Sequence, residues 1–198
     1  MTDALLVEAV AAVRELIDAA RVAGDPEPTA MTLATSDARE RLSARIVLLK
    51  ELDERGLTFY TNYESAKASQ LGEQQQAALC LHWKTLRDGV QVRAEGVVEK
   101  TSVAESDAYF ATRVRASQIG AWASLQSQTL PDRAALDARI AQYEREFEGR
   151  SVPRPPHWGG FVVEPDIVEF WYGAEFLLHE RVRWSRHGQT WTQRMLYP

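Results

Sequence analysis

The sequence predicts a mainly β, α+β chain: a closed antiparallel β-barrel with helices packed on its outside. Three observations lead there. Short runs of β-branched and aromatic residues recur at hairpin spacing, Gly- and Asp-containing turns separate them, and only a few helical patterns interrupt them. The strand–helix alternation of a parallel nucleotide-binding sheet is absent, as are GxGxxG and Walker A patterns. A nucleotide cofactor, if held, would lie on barrel strands.

The elements follow in order. Residues 1–25 read as an amphipathic helix, with Leu5, Val10, Val13, Leu16, Ile17 and Ala20 near helical spacing and Gly24 and Pro26 ending it. Residues 26–198 are expected to form the barrel domain. AMTLATS is β-like. LSARIVLLKELD and LTFYTN read as the arms of a hairpin turning at Asp53–Gly56. A short helix over 64–75 with Ser65 near its start precedes the strands AALCLHW and VQVRAEGVVEK. Residues 102–113 and 132–148 look helical, and Leu136, Ile140, Tyr143 and Phe147 mark one side of the second. SVPRPPHWGG is a proline-stiffened connector, followed by strands at GFVV, IVEFWYG, ERVRWS and TWTQRML, the last pair turning at His187-Gly188.

Bulk properties exclude several classes. With 198 residues the chain suits one compact domain, or one domain with a helical appendage, and its net charge of -5 gives no global basic field for nucleic acid or an anionic membrane. A single cysteine, Cys80, sits in an apolar run and suits a reducing cytoplasm and a structural role. Four histidines without HxxxH or CxxC spacing make no case for a metal. The N-terminus lacks the basic start and unbroken apolar run of a signal peptide, and no stretch is long and apolar enough to span a membrane.

Two segments carry chemistry. In YFATRVRASQIGAWASLQS, if Tyr109 closes one helix and Ser117 opens the next, Tyr109, Arg113 and Ser117 fall at steps of four on one face. A phenol, a planar cation, a hydroxyl and a helix N-terminus together suit a phosphate monoester. The plainer alternative is a solvated helix face with an incidental Arg. In RIVLLK, Arg45 and Lys50 are separated by odd spacing, which on a regular strand sends them to opposite faces and so to different groups. Snorkelling cations at strand ends are the plainer alternative here.

RIVLLK, FYTN with SAK, WKTL, QVRAEG, YFATR with SQIGAW and QS, WGGF, EFWYG and LHER occur in that order. From about Ala30 to Pro198 the chain closely resembles the pyridoxine/pyridoxamine 5′-phosphate oxidase family, FMN enzymes with a split-barrel flavin-binding fold. The resemblance implies a homodimer with FMN at the subunit interface, and pyridoxine or pyridoxamine 5′-phosphate and O2 as substrates. It implies FMN contacts from Arg45, Ile46, Val47, Leu48, Leu49 and Lys50, from Tyr60, Thr61 and Lys67, and from Gln91, Gln126, Ser127, Trp171 and Arg181. Substrate would be held by Lys50, Tyr109, Arg113 and Ser117, with Leu177 and His179 facing its ring and His179 and Arg181 in the catalytic role.

Two residues depart from the family pattern. Ala66 stands where the family carries an Arg before Lys67, which removes a cation from the FMN phosphate site. Leu177 stands where the family carries an Arg before the Leu-His pair. An aliphatic side chain can exclude water but cannot donate hydrogen bonds or stabilise developing charge. Two other functions therefore remain open: a flavin oxidase of phenazine-type biosynthesis, or a weakly catalytic protein that binds FMN or pyridoxal phosphate.

Overall fold

The structure, a computed structural model, describes residues 4–198; the first three residues of the expected N-terminal helix lie outside the described residues. Helix α1 (Ala4–Val22) buries Ala9, Val13, Ile17 and Ala20, positions one helical turn apart, and ends at Gly24, whose φ of +82° suits a residue without Cβ. It lies against β3, β8 and β9.

Among the described residues, nine antiparallel strands form one curled sheet: β1 (Ala30–Ser36), β2 (Leu42–Leu48), β3 (Glu51–Asp53), β4 (Gly56–Asn62), β5 (Gln76–Trp83), β6 (Val90–Lys100), β7 (Trp158–Tyr172), β8 (Glu180–His187) and β9 (Thr190–Leu196). The hydrogen-bonded order is β2-β1-β5-β6-β7-β4-β3, with β8 on β7 and β9 on β8. The curl brings β2 near β4, yet the path keeps β2 at one edge and β3 at the other. The barrel is split rather than closed. Its interior follows the period-two pattern: Met31 and Leu33 on β1, Leu79, Leu81 and Trp83 on β5, and Val90 and Val92 on β6 are all buried. Full burial of Phe59 or Phe170 contributes about 1.5–3 kcal/mol each.

Three expected strand boundaries change. The arm read through 42–53 breaks at Leu49-Lys50: β2 pairs with β1, and only β3 turns back onto β4. The β3–β4 turn closes at Gly56, where φ is +141° and a Cβ would lie 1.9 Å from the Val163 carbonyl oxygen. The two strands read at GFVV and IVEFWYG are one 15-residue strand, β7. Its first half pairs with β4 and its second with β8, so Pro165, which has no N–H, falls between the two ladders opposite the bulge at Glu95/Gly96. The β8–β9 loop is Gly188-Gln189, one residue later than expected.

Helix α2 (Ala66–Gln74) starts from Ser65, whose Oγ accepts from the Ala68 N–H. Helices α3 (Val103–Thr112), α4 (Arg115–Ala123) and α5 (Arg133–Glu146) form a second layer. Its own core holds Phe110, Ile119, Phe147 and Trp158, with Ile140 and Tyr143 of α5 packed against it. Ser102 and Glu105 form a capping box at the start of α3, and Arg55 also bonds Glu105 at 2.6 Å. These contacts hold the Glu105 carboxyl down at about 2.

Candidate active site

Strands β2 and β4, the start of α2 and the α3–α4 corner surround a cavity of about 640 Å³, within the size range of small-molecule and cofactor sites. Tyr60, Tyr109 and Trp158 form one wall with nearly parallel rings. Tyr60 and Tyr109 are 4.0 Å apart, and Tyr60 and Trp158 are 5.5 Å apart. Trp158 is held from behind. Arg154 bonds its carbonyl and Asp107, and Gly159 and Gly160 let the backbone pass where a Cβ would strike Tyr63 or Thr101.

The Arg113 guanidinium lies over the Trp158 ring, 4.6 Å from its centre. Its Nη1 is buried and has no hydrogen-bond partner among the described residues. Burial lowers its pKa, opposed by Tyr109. Arg113 does not lie on a continuous helical face with Tyr109 and Ser117. Helix α3 runs on to Thr112, Arg113 is extended (φ -72°, ψ 144°), and α4 begins at Arg115. The corner nevertheless brings Tyr109, Arg113 and Ser117 to the same cavity wall.

Lys67 lines the cavity too. Its ammonium donates to Gln126 Oε1 (3.0 Å), Thr61 Oγ1 (3.2 Å) and Ser65 Oγ (3.3 Å). Desolvation lowers its pKa, and Arg45 nearby lowers it further. Lys50 follows the end of β2, where strand alternation no longer fixes its direction, and it lines the cavity with Ile46, Val47 and Leu48.

Other expected residues do not line it. Arg45 bonds the Leu33 carbonyl, Thr35 and Gln70. Leu49 is buried in the main core. The Ser127 Oγ accepts from the Ala66 N–H at the start of α2 (3.1 Å). Gln91, Trp171 and Arg181 form a separate cross-strand row on β6, β7 and β8. His179 packs on Trp171 with ring centres 4.5 Å apart, and its Nδ1 accepts from the Ala174 N–H, so the neutral ring carries its proton on Nε2. Leu177 is 75% exposed at φ +61°, next to exposed Phe176 at φ +57°.

Sequence reasoning missed Trp158, Asn62, Val114, Gly120, Ala121 and Ser124 on the cavity wall, and Glu169 beneath the row. A carboxylate inside the apolar run IVEFW was the available signal for Glu169. The paired glycines after Trp158 were the signal for a fixed ring.

Comparison with known proteins decides the family. A family model described as pyridoxamine 5′-phosphate oxidase matches residues 12–146, and one described as pyridoxine 5′-phosphate oxidase C-terminal dimerisation region matches 158–198. The chain belongs to the pyridoxine/pyridoxamine 5′-phosphate oxidase family. One member, from Xanthomonas euvesicatoria pv. vesicatoria (strain 85-10), is 54% identical over 200 residues, 100% of each chain. Among solved structures, PhzG from Burkholderia lata 383, in complex with tetrahydrophenazine-1-carboxylic acid, is 32% identical with a TM-score of 0.89, covering 96% of this chain and 92% of its own. A pyridoxamine 5′-phosphate oxidase-related, FMN binding protein from Nostoc punctiforme PCC 73102 shares the fold at a TM-score of 0.73 and 18% identity, over 100% of each chain. Among the described residues, no helix of this family member is long and apolar enough to cross a membrane.

Proposed function

We propose that the chain is a cytoplasmic, homodimeric, FMN-dependent oxidase. It converts pyridoxine 5′-phosphate or pyridoxamine 5′-phosphate to pyridoxal 5′-phosphate, with O2 reduced to hydrogen peroxide. The observation that carries this reading is Arg113. A buried guanidinium nitrogen without a partner is costly, and here it lines a cavity with Lys50, Lys67, Tyr109 and Ser117. That donor set fits phosphate esters. The dimer is supported by the match to a dimerisation region and by the exposed Phe176, Leu177, Leu178, Met195 and Tyr197 within it.

Lys67, with Thr61, Gln126, Ser127 and the N-terminus of α2, would hold the FMN phosphate, and Arg45 behind it adds positive charge. Ala66 supplies no cation there. Ile46, Val47 and Leu48 wall the cofactor, and Leu49 anchors their strand in the core. Lys50, Tyr109, Arg113 and Ser117 grip the substrate phosphate, and Tyr60 stacks against Tyr109. In the dimer the second copy would supply Gln91, Trp171 and Arg181 to hold the flavin, His179 to face the substrate ring, and Leu177 as an apolar cover that excludes water. The chemistry FMN would supply when bound is acceptance of a hydride and reoxidation of the flavin by O2. The protein contributes position, dryness and charge. With the amine substrate, water hydrolyses the released imine to the aldehyde and ammonia.

A second reading is favoured by the likeness to PhzG: oxidation of a reduced phenazine carboxylic acid, with Leu177 and Phe176 as an apolar ring contact. Anaerobic addition of substrate to the yellow protein separates them. Bleaching by pyridoxine 5′-phosphate supports the first reading. Bleaching only by a dihydrophenazine acid supports the second. Binding of the vitamin phosphate with bleaching by neither compound indicates a storage protein and contradicts both.

A further inference from the structure

Glu169 sits inside β7, two residues before Trp171, and is only 3% exposed. Its carboxylate gathers three guanidiniums. Oε1 accepts from Arg181 Nε at 3.1 Å and Nη2 at 2.8 Å. Oε2 accepts from Arg183 Nε at 2.8 Å and from Arg93 Nη2 at 3.4 Å. These hydrogen bonds outweigh the upward push of burial and lower the Glu169 pKa. Strand register places Arg93, Glu169 and Arg183 in one cross-strand row, and Gln91, Trp171 and Arg181 in the next row on the same sheet face. The remaining corner of the Arg181 guanidinium, Nη1, donates to the Tyr197 carbonyl oxygen at 3.1 Å. All three Arg181 nitrogens are therefore occupied, and the cation is fixed beside Trp171. A buried carboxylate needs pairing to persist. Holding three cations, one of them on the Trp171 row, does more than pair it.

We propose that Glu169 is a positioning residue, which preorganises Arg181 for its contact with the flavin ring. This rests on the flavin reading above. The test is a double-mutant cycle of Glu169→Gln and Arg181→Gln, read as the FMN dissociation constant of the dimer by quenching of flavin fluorescence. With Arg181 present, Glu169→Gln is expected to weaken FMN binding about tenfold; in the Arg181→Gln background the same change should cost less than about twofold. Equal losses in the two backgrounds would overturn the proposal, because Glu169 would then only brace the sheet. Should Glu169→Gln not fold, Glu169→Asp keeps the charge but withdraws it by one methylene. It is expected to show the same Arg181-dependent loss, and wild-type affinity in it would overturn the proposal equally. A wild-type protein that binds no FMN removes the parent reading and this one with it, whereas wild-type binding with an additive cycle removes this one alone.

Discussion

Arg113 and Arg181 are both half-buried guanidiniums, and the protein treats them in opposite ways. Every nitrogen of Arg181 is engaged, by Glu169 and the Tyr197 carbonyl. Arg113 lies over Trp158 with its Nη1 buried and unpaired among the described residues. Arg181 is held in place by the fold before any ligand arrives. Arg113 keeps a buried donor open, and the proposed function gives that donor a phosphate oxygen.

The largest expected effect falls on the support of the open cation. Trp158→Ala removes a buried ring that stacks with Tyr60 and carries Arg113. It should cost about 3–5 kcal/mol in chemical denaturation; a smaller loss would mean that the aromatic wall closes over the gap.

Arg113→Met sharpens the comparison most. Specificity (kcat/KM) for pyridoxine 5′-phosphate should fall about 100-fold, mainly through KM. The melting temperature of the ligand-free protein should hold or rise, since an unsatisfied buried donor disappears. A lower melting temperature with unchanged KM would mean that Arg113 braces the fold and does not hold the substrate phosphate.

Lys67→Met is expected to weaken FMN binding about tenfold in a fluorescence titration. Its pH dependence has a definite sign. Desolvation, and then Arg45, hold the folded-state pKa of Lys67 below the ordinary 10.5. Between that lowered value and 10.5 the unfolded chain binds more protons, so ligand-free stability should rise with pH across the interval. FMN affinity should fall over the same interval, because the protonated amine holds the phosphate. Both slopes should flatten in Lys67→Met, and unchanged slopes would assign them to another group.

Much of this was legible in the sequence. Strand alternation, the turn glycines and the Ser65 cap are local signals, and each produced its element. The break at Leu49-Lys50 and the fusion of two runs into β7 were not legible. Both depend on which strand lies alongside, and Pro165 reads as a strand end until the gap between the β4 and β8 ladders is known. Spacing pointed to Tyr109, Arg113 and Ser117, though for the wrong reason: a bent corner, not one helical face, brings them together. Trp158 and Glu169 escaped notice because their roles come from neighbours distant in sequence.

The smallest expected effect tests a local device. Ser65→Ala removes the oxygen that caps α2 and meets Lys67, and should cost about 1 kcal/mol in thermal unfolding. No measurable loss would show that Asn62 and Gln126 hold the segment without it.

The central claim is that the open donors of Arg113 await a phosphate ester. A crystal structure of the dimer with FMN and pyridoxal 5′-phosphate tests it directly. The account predicts a pyridoxal phosphate oxygen within hydrogen-bond distance of Arg113 Nη1 and the Lys50 ammonium, with the FMN phosphate separately on Lys67. Both ligands in place and Arg113 Nη1 still without a partner would contradict it.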